Sequence, residues 1–434
     1  MVKLTSRYVV AAAAVVTVFY MFETQMTAPV LPIYSAKELG AAPFMVGIIM
    51  GVYSITNCFG NVVFGRLSDS WGRRLPLTIG FLGTGLLVLT YSLATIPVHL
   101  VLIRLVQGFF SGALGPCTSA ILTDLAPPGR RGAYMGIWST SVSIGVTISS
   151  ALAGVLSTSY GYFSVWLAIA CACVLATVVL WAFVPETHSR RQVQPEAAAT
   201  SPTKKSNFFS ILKRKNVLFA CLGILSQYWM LGTIVVLFSL YLADLKTAGI
   251  IKPDPKMALA MMLALYGLAS VSLTYLFGRL ADVVGRKWPL TAAFFMLTAA
   301  PLLVSNPSVP LIAIAWIIAW SLAAAVTWPS LLALLTDELE RHERGAGLGI
   351  FMVALTIGTG LGMPVMGALG NAIGLASAIK LAAVLPAATF ILSWFIRSRP
   401  VEGGRFGTKL IIIMAAIFTI FVALSYPLIR FLQP

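Results

Sequence analysis

The sequence predicts an all-α membrane protein: two six-helix bundles related by a pseudo-two-fold axis along the membrane normal, plus one extra C-terminal transmembrane helix. Three observations predict it. The chain of 434 residues is 59% apolar and only 10% charged, too little charge to keep a soluble surface of this size wet. Its apolar residues gather into long runs, and about 20 such residues cross roughly 30 Å of hydrocarbon. A charged island, F-G-R-L-S-D-S-W-G-R-R at Phe64–Arg74, returns as F-G-R-L-A-D-V-V-G-R-K at Phe277–Lys287, 213 residues further on.

The first run, 8–30, follows M-V-K-L-T-S-R. That opening is similar to a secretory signal, but the apolar stretch continues past Glu23 without a small-residue cleavage site, so it reads as a retained span. Runs 44–65, 75–95, 98–122, 133–156 and 162–184 complete an N-terminal bundle over 1–184. Residues 185–215 open with P-E-T-H-S-R-R and carry Pro, Ser and charge. They read as a flexible cytoplasmic linker, with Lys213–Lys215 suited to anionic headgroups. Runs 217–243, 257–278, 288–305, 309–333, 346–370 and 376–396 form a C-terminal bundle over 216–397. The last run, 409–432 within 398–434, is a thirteenth span outside the repeat, and it offers a docking face to a partner.

The formal net charge of +16 does not point to nucleic acid. Lys and Arg concentrate in the N-terminus and one alternating set of loops. The opposite loops and the far C-terminus hold Lys37, Lys246, Lys252, Lys256 and Arg430, and within the first twelve runs only Arg104 and Lys380 lie inside spans. This positive-inside bias places the N-terminus and the linker in the cytoplasm of an inner, plasma or internal membrane. All five cysteines lie in spans without metal-ligand spacing. No Gly-rich loop ends in Lys-Ser/Thr, and His99, His188 and His342 lie far apart. The expectation is therefore no enzyme, no cofactor and no bound metal centre.

The 213-residue register also pairs Pro116 with Pro329, Thr123 with Thr336, Asp124 with Asp337, Arg131 with Arg344, and Gly145 with Gly358. It holds through four spans without an insertion, so the bundles are structural repeats. An even number of spans per repeat makes them parallel.

The pattern G-x-x-x-D-x-x-G-R-R, as Gly65, Asp69, Gly72, Arg73 and Arg74, resembles the loop signature of the major facilitator superfamily. Its second copy is Gly278, Asp282, Gly285, Arg286 and Lys287. R-L-V-Q-G-F-F-S-G at Arg104–Gly112 is similar to the family's fourth-span motif, and P-E-T at Pro185–Thr187 to the end of its sixth span. The resemblance covers residues 1 to about 400. It implies a secondary transporter working by alternating access, with the loop as a conformational latch. Asp69 would face the positive N-terminal end of a neighbouring helix. Arg73, Arg74, Asp124, Arg130 and Arg131 would complete the network, and Asp282, Arg286, Asp337 and Arg344 would repeat it. Gly65 and Gly72 would let the loop turn tightly.

Glu23 and Arg104 are charges inside spans, each costing at least about 2.5–3.5 kcal/mol at a helix centre. Counted from the outer ends of their spans at 1.5 Å per residue, both lie roughly 9–14 Å deep. The resemblance lines the central cavity with the first and fourth spans, making the two plausible partners. An apolar surround favours a neutral carboxyl and a nearby cation favours the carboxylate, so a Glu held between them can take up and release a proton. Gln107 and Ser111 continue the Arg104 face, and Tyr20 and Thr27 flank Glu23. Gln227, Tyr228, Trp316 and Trp320 are further cavity candidates, while Lys380 can snorkel to the surface. The glycines at Gly108–Gly112 and Gly358–Gly362 suit close helix contacts.

The function read from these residues is proton-coupled export of a small, amphipathic organic compound. Family exporters commonly carry G-x-x-x-G-P-x-x-G-G in the fifth span. Here Gly145–Gly154 reads G-V-T-I-S-S-A-L-A-G, with Ser149 and Ser150 in place of Gly-Pro. That departure speaks against antiport, whereas Glu23 and Arg104 favour proton coupling. Two alternatives stay open. One is an ion or metal carrier, iron included, with Glu23, Met21 and Met26 offering O and S ligands. The other is a non-transporting scaffold or receptor that docks a partner on 409–432.

Overall fold

The computed structural model describes residues 6–187, 211–303, 310–340 and 343–396. The thirteenth run, 409–432, and most of the linker lie outside the described residues. So do the side chains of Asp282, Trp316 and Arg344 and the surroundings of Gly278. Among the described residues all regular structure is helical, and ten helices are long and apolar enough to cross a membrane. The protein is an integral membrane protein. Without water in the hydrocarbon, a spanning backbone must satisfy its own polar groups, and helices do so.

The chain forms two compact units, Met1–Ala41 with Ile48–Pro202, and Ala42–Gly47 with Thr203–Pro434. In the first, α1 (Ser6–Lys37) packs on α6 (Arg131–Ser159) and α7 (Tyr162–Phe183). Between them in sequence come α2 (Pro43–Trp71), α3 (Arg74–Leu89) and a span made of α4 (Pro97–Ser111) and α5 (Leu114–Asp124). Pro97 opens α4, where its missing N–H costs nothing. An aromatic core ties the ends of three helices. Tyr34 and Tyr91 both meet the edge of the fully buried Trp166, at 5.9 and 5.0 Å between centroids. The Tyr34 hydroxyl donates to the Tyr91 carbonyl at 3.1 Å.

The α2–α4 contact is backbone on backbone. A Cβ on Gly60 would lie 2.2 Å from the Phe109 carbonyl oxygen, one on Gly108 would lie 2.4 Å from the Tyr53 carbonyl oxygen, and one on Gly112 would lie 2.5 Å from the Gly60 Cα. The small-residue spacing read from the sequence is therefore a packing surface, and it sets how closely Tyr53 approaches α4. Gly112→Val is expected to lower stability by roughly 1–3 kcal/mol through overpacking against backbone that cannot yield. Thermal unfolding in detergent would measure it, and an unchanged midpoint would count against this contact.

The second unit contains α8 (Lys215–Thr233), α9 (Ser239–Thr247), α10 (Pro255–Val284), α11 (Lys287–Leu303), α12 (Pro310–Glu338), α13 (Arg344–Gly360), α14 (Gly362–Ile373), α15 (Leu375–Leu381) and α16 (Val384–Ser393). A π-helical turn, Ile234–Phe238, joins α8 to α9. The repeat is visible in detail. Gly72 and Gly285 both turn the chain at φ 86°, a left-handed value that favours glycine. Lys380 is exposed on α15.

Candidate functional site

Glu23 is fully buried in α1. Its carboxylate accepts three side-chain hydrogen bonds from two other helices. Tyr53 of α2 donates its hydroxyl to Oε2 at 2.8 Å, Gln107 of α4 donates Nε2 to Oε1 at 2.8 Å, and Ser111 of α4 reaches Oε2 at 3.0 Å. The Tyr53 and Ser111 hydroxyls are themselves 2.6 Å apart. One residue therefore joins α1, α2 and α4, which explains how a carboxyl is kept in an apolar interior. Unpaired it would cost several kcal/mol, and its bonds offset that cost.

Arg104 lies in the same network without an ion pair to Glu23. Its guanidinium sits over the Tyr53 ring, 4.0 Å from the centroid, where the ring's negative face attracts a cation. It also donates to the Tyr91 hydroxyl and the Gln107 carbonyl oxygen, both at 3.4 Å, and through Nε to the Ile49 carbonyl at 3.4 Å. The Tyr91 hydroxyl donates in turn to the Gln107 oxygen. The Gln107 amide thus faces the cation with its oxygen and the carboxylate with its nitrogen. Glu23 and Arg104 share one site, as depth along the two spans predicted, but they communicate through Gln107 and Tyr53.

The other predicted residues of this unit divide. The Thr27 hydroxyl bonds to the Glu23 carbonyl in its own helix at 2.6 Å, so it braces α1. Tyr20 lies against Gly115 of α5. Met26 is fully buried, Met21 packs against Gly145 of α6, and no group of three or more His, Cys, Asp or Glu forms a metal cage among the described residues. Tyr53 and Tyr91 were not singled out by the sequence, because a tyrosine within an apolar run looks like any packed aromatic.

A second polar cluster sits at the loop between α2 and α3. Arg73, with a side chain only 5% exposed, donates to the Ser68 hydroxyl at 2.6 Å, to Asp69 at 2.8 Å and to Asp124 at 3.3 Å. Burial works against its charge, but the Asp69 and Asp124 carboxylates outweigh it and raise the Arg73 pKa above its ordinary value. Arg74 lies over the Trp181 ring at 4.3 Å and donates to the Trp181 carbonyl at 2.7 Å. Arg130 and Arg131 are exposed and stand outside the cluster.

Within this unit the carboxylate at a helix N-terminus is Glu186, whereas Asp69 pairs with Arg73. Glu186, of the P-E-T sequence, accepts the backbone N–H groups of Arg73 at 2.8 Å and Arg74 at 3.1 Å, at the start of α3. A Cβ on Gly72 would fall 2.6 Å from that carboxylate. The glycine is therefore required both for its φ and for the approach of Glu186. Glu186→Gln should cost about 1 kcal/mol, the usual worth of a charged cap, read as a lower unfolding midpoint. An unchanged midpoint would show that the carboxylate adds nothing to the cap.

The second unit repeats part of this cluster. Arg286 pairs with Asp337, as Arg73 does with Asp124. Lys287 donates to the Trp394 carbonyl at 2.7 Å, as Arg74 does to Trp181. Gln227 of α8 accepts from the Thr327 hydroxyl of α12. Tyr228 packs edge-on against Trp328 at 6.2 Å. Trp320 is buried against Tyr266.

A many-span helical protein with a hydrogen-bonded carboxylate buried within its first span and a repeated charged loop has the build of a membrane carrier. The model of the Major Facilitator Superfamily matches residues 13–252 and 247–433, and the chain belongs to that family of transporters. An uncharacterised MFS-type transporter of Methanocaldococcus jannaschii is 23% identical over 372 residues, covering 85% of this chain and 92% of its own. The staphyloferrin B transporter of Staphylococcus aureus is 25% identical over 262 residues, 58% and 60% of the two chains. The crystal structure of a bacterial homolog of the human lysosomal transporter Spinster shares the fold. Its TM-score is 0.70 at 17% identity, over 91% of this chain and 96% of that one.

Proposed function

We propose that this chain is a proton-coupled secondary transporter that exports a small organic compound by alternating access, with Glu23 as the residue that carries the proton. The observation that carries the proposal is the environment of Glu23: a fully buried carboxylate with hydrogen bonds from Tyr53, Gln107 and Ser111 and a guanidinium one residue away through Gln107. A structural ion pair would place the cation directly on the carboxylate. Here an amide and a phenol stand between them, so the carboxyl can gain a proton while Arg104 keeps its contacts to Tyr91, Gln107 and Ile49. The hydroxyls of Tyr53 and Ser111 either donate or accept, so they can follow that change. The staphyloferrin B transporter among the relatives supports organic cargo.

In this reading Arg73 with Asp124 and Arg286 with Asp337 are the conformational latches, Asp69 being a lesser member of the first. The N-terminus is cytoplasmic, as the positive-inside bias requires. Residues 409–432 offer a site for a partner.

The experiment is proton flux in liposomes that hold a pH dye, under an imposed gradient, with a panel of organic compounds and divalent metals added outside. The expected result is proton movement that needs both an organic compound and the protein, its sign giving symport or antiport. Proton movement with metals alone would replace organic cargo by an ion. No cargo-dependent movement with any compound, alongside labelled uptake without a gradient, would remove proton coupling.

A further inference from the structure

The α2 and α4 positions around Glu23 have counterparts 213 residues on in the second unit. Tyr53 is matched by Tyr266, Arg104 by Ile317, Gln107 by Trp320 and Ser111 by Ala324. Gly145 meets Val18 and Met21 of α1 where Gly358 meets Leu225 and Tyr228 of α8, so Glu23 itself corresponds to Met230, which is fully buried. The carboxylate, its cation and two of its polar donors are replaced there by aliphatic and aromatic residues. Tyr266 of α10 and Trp320 of α12 pack together with centroids 4.5 Å apart and planes tilted by 42°.

Two features separate this pair from ordinary core. Trp320 is 2% exposed, yet its Nε1–H has no acceptor among the described residues. Buried N–H groups almost always have one, and an orphan is costly. Tyr266, in contrast, keeps part of its surface accessible. Ala324, one turn along α12, adds little bulk beside the indole.

We infer that Tyr266 and Trp320 form a subsite for flat, uncharged aromatic compounds that carry an acceptor oxygen, with the Trp320 Nε1–H donating to that oxygen. The accessible part of the Tyr266 ring supplies the stacking surface. The matched positions supply no charge, and a charged ligand buried there would go unpaired. The inference rests on the transporter reading and narrows its cargo. One unit would then hold the proton and the other the compound.

The test is equilibrium dialysis of the purified full chain in detergent, against protein-free micelles, with coumarin and naphthalene as probes. Both are fused two-ring molecules, and only coumarin has a carbonyl. Wild type is expected to bind coumarin more tightly. Trp320→Phe keeps a ring and removes the N–H, so coumarin should weaken by about fivefold, one hydrogen bond's worth, while naphthalene holds. Tyr266→Leu should weaken both. The naphthalene affinity reports whether the variant is folded. The inference is overturned if wild type does not bind coumarin, if Trp320→Phe leaves coumarin unchanged, or if it weakens both probes equally. Glu23→Gln should leave coumarin binding intact. Proton flux that proves independent of Glu23 while coumarin still binds would overturn the proton reading and leave this subsite standing.

Discussion

Glu23→Gln is expected to lower cargo-dependent proton flux by about a hundredfold, the lower range for removing a proton-transferring side chain, and to leave the protein folded. Glutamine keeps the size of the side chain. Its carbonyl oxygen can still accept from Tyr53 and Ser111, the two donors at Oε2. The other end would turn an amide NH₂ toward the Gln107 nitrogen, where Glu23 Oε1 now accepts. Gln107 can answer by flipping its own amide, at the expense of its contacts to Tyr91 and Arg104. The structural cost is therefore one rearranged contact, while the ability to bind and release a proton is lost altogether. Flux within a fewfold of wild type would make Glu23 a packing element. Gln107→Leu separates the two roles from the other side. It removes the link to Arg104 and should alter the pH profile of flux without abolishing it.

Arg73→Met should lower stability by about 3 kcal/mol, the low end for stripping the partner from a buried charge. Methionine fills the space of the arginine stem, so the loss comes from polar groups. Asp124, with a side chain 15% exposed, would lose its cation and keep only the Thr187 hydroxyl at 3.3 Å. Asp69 is 64% exposed and returns to water at little cost. Asp69→Asn is accordingly expected to cost under about 1 kcal/mol. Adding Asp124→Asn to Arg73→Met should recover part of the loss, because it removes the stranded charge. Thermal unfolding of the four proteins in detergent would decide the matter. Equal losses from Asp69→Asn and Arg73→Met would contradict this division of labour.

The sequence reveals some of this and hides the rest for physical reasons. Apolar run length announces the spans, because the bilayer enforces it. The 213-residue echo announces the repeat, down to matched glycine turns at Gly72 and Gly285. Glu23 and Arg104 stand out because charges in lipid are costly. Gln107 and Ser111 follow from helical spacing on the Arg104 face, and both do bond Glu23. Thr27 follows from the same spacing on α1, but its hydroxyl finds its own backbone first. Tyr53 and Tyr91 were illegible, since helix packing between residues distant in sequence decides which tyrosine reaches the carboxylate. Glu186 shows in the sequence only as the middle of P-E-T. Its role depends on α7 ending beside the start of α3, which no local pattern encodes.

The central claim, that Glu23 changes its protonation state inside the folded protein, can be tested without knowing the cargo. Infrared difference spectra of the purified protein would be recorded while the pH is lowered across the range where it stays folded, for wild type and Glu23→Gln. The account predicts a carbonyl-stretch band of a buried, protonated carboxyl that grows in wild type as pH falls and is missing from the variant. Spectra of the two proteins that coincide throughout would contradict it.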